Sequence, residues 1–193
     1  MSKKTLLKMS TARSVYFIIF SLVGLVASFI ITWEKIELLK NPKHVTSCSI
    51  NPLLSCQNVM TSEQASVFGF PNPFLGLIGF SMIFAFAFIS FFVKRFPPII
   101  YVLLISGLGF AVTFSTWLFH EAIFDIGAIC VYCVAVWLCS YMMFGDILGF
   151  MLAKKLKIEA ISEWGWLAGL TGWLILISII LVRYWDQFMF MFK

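Results

Sequence analysis

Four of the five cysteines in the sequence fall into two close pairs, and paired thiols can pass electrons by disulfide exchange. Cys48 and Cys56 stand eight positions apart, and Cys130 and Cys133 form a C-x-x-C. At a helix start, the first cysteine of such a motif meets unpaired backbone N–H groups and the positive end of the helix dipole. Both stabilise a thiolate at Cys130. Cys133 follows one turn further in, on the same face and in drier surroundings. A pair so placed can carry electrons between a wet disulfide and an apolar acceptor. Three other uses fit the same residues: a plain structural disulfide at Cys48–Cys56, four thiolates holding zinc, or cysteines serving as small packing hydrophobes. Cys139 has no near partner and reads as packing.

The elements that must position these thiols are membrane helices. Of 193 residues, 61% are hydrophobic and only 12% charged, and the mean hydropathy is +0.98. A soluble domain of this length needs more charge to cover its surface, so most of the chain is solvated by lipid. Crossing a hydrocarbon core of ~30 Å takes roughly 20 apolar residues. Five stretches qualify: Val15–Trp33, Phe74–Val93, Ile99–Phe119, Ala128–Phe150 and Trp164–Tyr184. The expected fold is an all-α integral membrane protein occupying residues 1–193 as one domain. The first run follows Lys3, Lys4, Lys8 and Arg13 like a signal peptide. It exceeds a signal core of about 7–15 residues and lacks a small-residue cleavage site, so it reads as a retained helix.

The net charge of +5 comes from short basic clusters between apolar runs. That pattern sets topology and excludes a nucleic-acid partner. The positive-inside rule puts the N-terminus, Lys94-Arg95 and Lys154, Lys155 and Lys157 in the cytoplasm of a multi-pass cell-membrane protein. The loop 34–72, the connection His120–Gly127 and the C-terminus then lie outside. Both cysteine pairs thus fall on one face, and it is the oxidising one.

In the outer loop, Asn51-Pro52 predicts a helix N-cap with proline at the first position. Leu53, Leu54, Val59 and Met60 would give that helix an apolar flank suited to the membrane surface. Phe68 to Pro73 is a turn-rich re-entry. His120, Glu121 and Asp125 near the cysteines suit either proton transfer or an interfacial position. Phe74, Phe80, Phe84, Phe110 and Phe114 are candidate pocket walls. Gly145-x-x-x-Gly149 and Gly165-x-x-x-Gly169 permit close helix contact.

The run Cys48-Ser49-Ile50-Asn51-Pro52-Leu53-Leu54-Ser55-Cys56, then Ser62, Phe68-Gly69-Phe70-Pro71-Asn72-Pro73 and Gly76, with Cys130-Val131-Tyr132-Cys133, resembles the vitamin K epoxide reductase family in its bacterial form. The resemblance spans roughly Val15 to Phe150. It implies a four-helix transmembrane bundle around a quinone, plus a fifth helix, with a catalytic pair Cys130/Cys133 and a shuttle pair Cys48/Cys56. Asn72, Ser62 and Trp137 become the expected contacts to a menaquinone or ubiquinone. Trp137 replaces the tyrosine of the animal vitamin K enzyme, which argues against vitamin K epoxide itself as substrate. Many bacterial members carry a thioredoxin-like domain after the fifth span. Here the sequence stops at Lys193, so the resemblance implies a separate extracytoplasmic thioredoxin-like dithiol partner. The expected activity is thiol:quinone oxidoreduction. The alternatives are vitamin K or quinone epoxide reduction by the same cysteines, or a non-catalytic zinc-binding or scaffold role.

Overall fold

The computed structural model describes residues 6–49, 51 and 53–191. The expected positions of Lys3, Lys4, Ile50, Pro52 and Lys193 lie outside them. The chain runs β1 (Leu7–Lys8), α1 (Thr11–Lys40), α2 (Cys56–Thr61), α3 (Pro73–Phe92), β2 (Arg95–Phe96), α4 (Pro98–His120), α5 (Val131–Leu156), α6 (Glu159–Arg183) and α7 (Trp185–Met191). A 3-10 turn, Glu63–Ser66, follows α2, and α4 continues into a wide π turn, Glu121–Ile126. The fold is all-α and multi-pass: α1, α3, α4 with its π turn, α5 and α6 are each long and apolar enough to cross a membrane.

Four of these helices form the bundle. α1 packs on α3 and α5, and α5 also packs on α4, whereas α3 and α4 barely touch. The α1–α3 seam is built from small residues. Ser90 Oγ donates to Ser14 Oγ at 2.9 Å, and a Cβ on Gly24 would lie 2.5 Å from Phe80 Cε1. α6 stands outside the bundle against α5. There the two small-residue motifs meet each other: a Cβ on Gly149 would lie 2.5 Å from Gly165 Cα, and one on Gly165 2.9 Å from Gly149 Cα. Only glycine permits that backbone approach.

The helix ends sort the charges. Lys8, Lys94, Arg95, Lys154 and Lys155 gather at one end of the bundle, and Cys48, Cys56, Cys130 and Cys133 at the other. At the basic end, β1 pairs antiparallel with β2, Leu7 opposite Phe96, and Met9 N–H donates to Lys94 O at 2.9 Å. Arg13 Nε donates to Asp146 Oδ2 at 2.6 Å, and its Nη2 donates to Ser162 O at 2.8 Å. One guanidinium thereby joins α1, α5 and α6.

Several expected boundaries move. The first helix continues to Lys40 rather than ending at Trp33, because its polar outer turns are satisfied there. Glu34 accepts from Ser47 N–H at 3.1 Å, and Lys35 Nζ donates to Met60 O. The third span extends through the π turn, so most of the expected connection 120–127 is helical. Ala128 to Cys130 are not helical, and the fourth span starts at Val131 and reaches Leu156. The fifth starts at Glu159. The loop helix is capped by Ser55, not by Asn51: Ser55 Oγ accepts from Asn58 N–H at 3.3 Å. Asn51 Oδ1 instead accepts from Leu53 and Leu54 N–H at 3.0 and 2.7 Å, closing a turn before the helix. Its apolar flank faces inward, with Leu53 and Met60 buried in the core, rather than lying on the membrane surface.

Candidate active site

Backbone pairing brings the two cysteine segments together. Ile129 N–H donates to Leu53 O at 2.7 Å, and Ser55 N–H donates to Ile129 O at 3.1 Å. This short parallel bridge between Leu54 and Ile129 sets the residues just beyond it, Cys56 and Cys130, side by side. The π turn makes the bridge reachable. Gly127 at φ 70° reverses the chain after it, a left-handed conformation that glycine adopts without strain, and Ala128 N–H closes onto Ala122 O at 3.1 Å.

Cys48 and Cys56 are joined by a disulfide with a Cα–Cα distance of 5.6 Å. Cys56 Sγ also lies 2.8 Å from Cys130 Sγ. All three cysteines are buried, while Cys133, one turn along α5, is partly accessible. Burial pushes the Cys130 thiol up. Hydrogen bonds from the Cys133 thiol and from the Cys133 and Tyr132 backbone amides outweigh burial, so Cys130 sits below the ordinary thiol range. A lowered Cys130 thiol beside the Cys48–Cys56 disulfide gives the two pairs the contact that thiol–disulfide exchange requires. Joined as a disulfide, Cys48 and Cys56 offer no thiolates, while their sulfurs and that of Cys130 lie within 4.8 Å of one another.

The Cys48 segment is held by polar contacts that the sequence did not reveal. Glu34 accepts from Ser47 N–H, and its Oε2 pairs with His44 Nε2 at 2.8 Å. Ser47 Oγ lies 3.2 Å from the Tyr132 hydroxyl, within the C-x-x-C itself. Ser49 Oγ accepts from Gln57 N–H at 3.3 Å, at the start of α2. The one sequence signal was Glu34, a carboxylate directly after an apolar run.

Because α3 and α4 barely touch, a slot opens between them, about 440 Å³ in volume and walled almost entirely by apolar groups. Its size falls in the range of small-molecule sites, roughly 300–1,000 Å³. Cys133, Asn72, Ser62 and Trp137 all border this cavity. So do Phe80, Phe110 and Phe114, whereas Phe74 and Phe84 do not and Phe86 does. The periodicity of an all-round apolar helix gives no face, which is why these assignments divide. Trp137 is buried, edge-on to Phe119 at 5.6 Å between ring centres. Ser62 Oγ donates to Val59 O at 2.8 Å. Asn72 Nδ2 donates to Gln64 O at 2.7 Å, and its Oδ1 accepts from Val67 N–H at 3.2 Å. An amide nitrogen carries two N–H groups, so one such partner leaves capacity for a second acceptor. Glu121 reaches the cavity too, while His120 and Asp125 stay outside it. Cys139 is buried in the core among Phe17, Met143 and Ile147, apart from the other four.

A disulfide in contact with a second thiol pair, at the mouth of an apolar slot between membrane helices, is an arrangement for moving electrons between thiols and a lipophilic molecule. No individual curated protein matches the chain at a significant level. The sequence profile of the vitamin K epoxide reductase family does match, over residues 15–148, which takes in both cysteine pairs and the four bundle helices but not α6. This chain belongs to the vitamin K epoxide reductase family.

Proposed function

We propose that this protein is a membrane thiol:quinone oxidoreductase that oxidises a separate extracytoplasmic thioredoxin-like dithiol protein and so supports disulfide-bond formation. Membership of the family implies an oxidoreductase, and family members use quinones. The observation that carries the finer reading is the 2.8 Å contact between Cys56 and Cys130, with Cys133 at the wall of the cavity. The basic residues at the opposite end support an orientation with the cysteines outside and the N-terminus in the cytoplasm.

The partner's thiolate attacks the Cys48–Cys56 disulfide at Cys48, and its second thiol resolves the mixed disulfide, leaving both shuttle cysteines reduced. Cys56 then attacks Cys130 of a Cys130–Cys133 disulfide, and Cys48 resolves that bond in turn. The reduced Cys130/Cys133 pair faces the cavity, where a quinone, menaquinone or ubiquinone, serves as acceptor of two electrons and two protons. Asn72, Ser62 and Trp137 would hold its head group, with the free N–H of Asn72 directed to a ring oxygen. The lowered thiol of Cys130 suits it as the leaving group when Cys48 resolves the Cys56–Cys130 bond. Net, one dithiol becomes a disulfide and one quinone becomes a quinol. The zinc-scaffold alternative is disfavoured by the Cys48–Cys56 disulfide.

The test is quinone absorbance in purified, lipid-reconstituted protein supplied with a reduced thioredoxin-like protein. Quinol formation by wild type that falls to background in Cys133→Ala is the expected result. A quinone that stays oxidised with folded wild type would refute the proposal.

A further inference from the structure

We infer that Glu121 delivers protons to the quinone site, taking them from His120 at the protein surface and passing them to an oxygen of the bound acceptor. This rests on the thiol:quinone reading above.

The need follows from the exchange chemistry. Converting quinone to quinol consumes two electrons and two protons, and forming the Cys130–Cys133 disulfide releases the same number. Thiols react as thiolates, however, so a thiol of the pair that enters the reaction as its thiolate brings electrons without a proton. That proton has to be replaced at a quinone oxygen inside an apolar slot. Among the described residues, the ionisable side chains bordering the slot are Cys133, Lys35 and Glu121. Lys35 donates from Nζ to Met60 O, whereas Glu121 stands beside the exposed His120.

Glu121 is built as a link between surface and slot. Its side chain is 15% exposed, while that of His120, whose Nδ1 lies 3.6 Å from Glu121 Oε1, is 61% exposed. From the slot side, Gln64 Nε2 donates to Glu121 Oε2 at 3.4 Å, and Gln64 O in turn accepts from Asn72. The carboxylate therefore adjoins the same loop that holds the amide proposed to bind the quinone. Glu121 also opens the π turn, a distortion frequent at functional sites. His120 and Asp125 stand beside it on its own segment, and Lys35 from α1 and Cys133 from α5 border the same slot. In the transfer, the O–H bond of the Glu121 carboxyl breaks as one forms at the quinone oxygen. The carboxylate then recovers a proton through His120 from outer water.

The experiment compares wild type, Glu121→Gln and Glu121→Asp with a small dithiol as donor, measuring quinol formation across pH. Reduction of the Cys130–Cys133 disulfide is followed separately by thiol labelling without quinone. Loss of general acid catalysis predicts quinol formation slowed by about 10²-fold in Glu121→Gln. The disulfide should still reduce at the wild-type rate, and Glu121→Asp should recover part of the loss. Independently of turnover, a carboxyl infrared band absent in Glu121→Gln should shift when quinone is added to oxidised wild type without dithiol. An active wild type with an equally active Glu121→Gln and an unchanged pH profile would overturn this inference alone. Equal loss of disulfide reduction in Glu121→Gln, unrelieved in Glu121→Asp, would also overturn it, since the role would then be structural. A wild type that never reduces quinone would overturn the oxidoreductase reading and this inference together.

Discussion

The sulfur of Cys56 stands between two others, bonded to Cys48 and 2.8 Å from Cys130. One cysteine thus touches both of the sulfurs that the proposed exchange requires, without any travel of the loop. The sequence named Cys48/Cys56 only as a shuttle pair, with no geometry for the exchange. In the structure the segment is pinned by the Leu54–Ile129 bridge and by Glu34, so the proposed exchange would need only small motions of the Cys56 side chain.

If that bridge sets the transfer geometry, removing its hydrogen bond should slow transfer from the protein donor. Ile129→Pro deletes the N–H that donates to Leu53 O. A misplacement near 1 Å costs on the order of 10²-fold in rate, so quinol formation with a thioredoxin-like donor should fall by about that factor. A small dithiol that reduces Cys130–Cys133 directly should still support turnover. Parallel rate measurements with the two donors check this.

The thiolate character of Cys130 should depend on Cys133. Burial raises the Cys130 thiol, and the leading opposing influence is the hydrogen bond from the Cys133 thiol. Cys133→Ala removes that bond, so the Cys130 thiol should move up and its thiolate form only at higher pH. In a background lacking Cys48 and Cys56, the rate of Cys130 with a small aromatic disulfide should show a pH midpoint shifted upward in Cys133→Ala. An unshifted midpoint would assign the low thiol range to the backbone amides alone.

At the opposite end, Arg13 and Asp146 form a buried pair whose side chains are 11% and 12% exposed. Removing one partner of such a pair leaves an uncompensated charge and costs about 3–5 kcal/mol. Arg13→Gln and Asp146→Asn should each lower the thermal unfolding midpoint in detergent, and the double variant should lose less than the two single losses added. Strict additivity would mean that the pair contributes no coupling.

The membrane helices were legible because lipid solvation demands long apolar runs, and basic residues separate them. The meeting of the Gly145/Gly149 and Gly165/Gly169 motifs was not, since spacing names a close contact without naming its partner. Cys48 to Cys133 were visible as two pairs, but the Leu54–Ile129 bridge depends on a π turn whose extra residue leaves no sequence mark. The N-cap was misplaced because Asn51 and Ser55 are both good caps, and the choice went to the residue nearer the cysteine contact. The helix end at Lys40 was missed because hydropathy fails at Glu34, a residue satisfied by the loop after the helix, which folds back onto it through His44 and Ser47.

The claim that electrons cross between Cys56 and Cys130 is tested most directly by trapping that bond. In Cys133→Ala, Cys130 keeps its contact with Cys56 but loses the thiol that would resolve a mixed disulfide. Equilibrated at mildly alkaline pH in a thiol–disulfide buffer and mapped by mass spectrometry without reduction, this variant should yield a Cys56–Cys130 linked peptide with Cys48 free. Recovery of Cys48–Cys56 alone, with Cys130 fully labelled as a thiol in folded protein, would contradict the account.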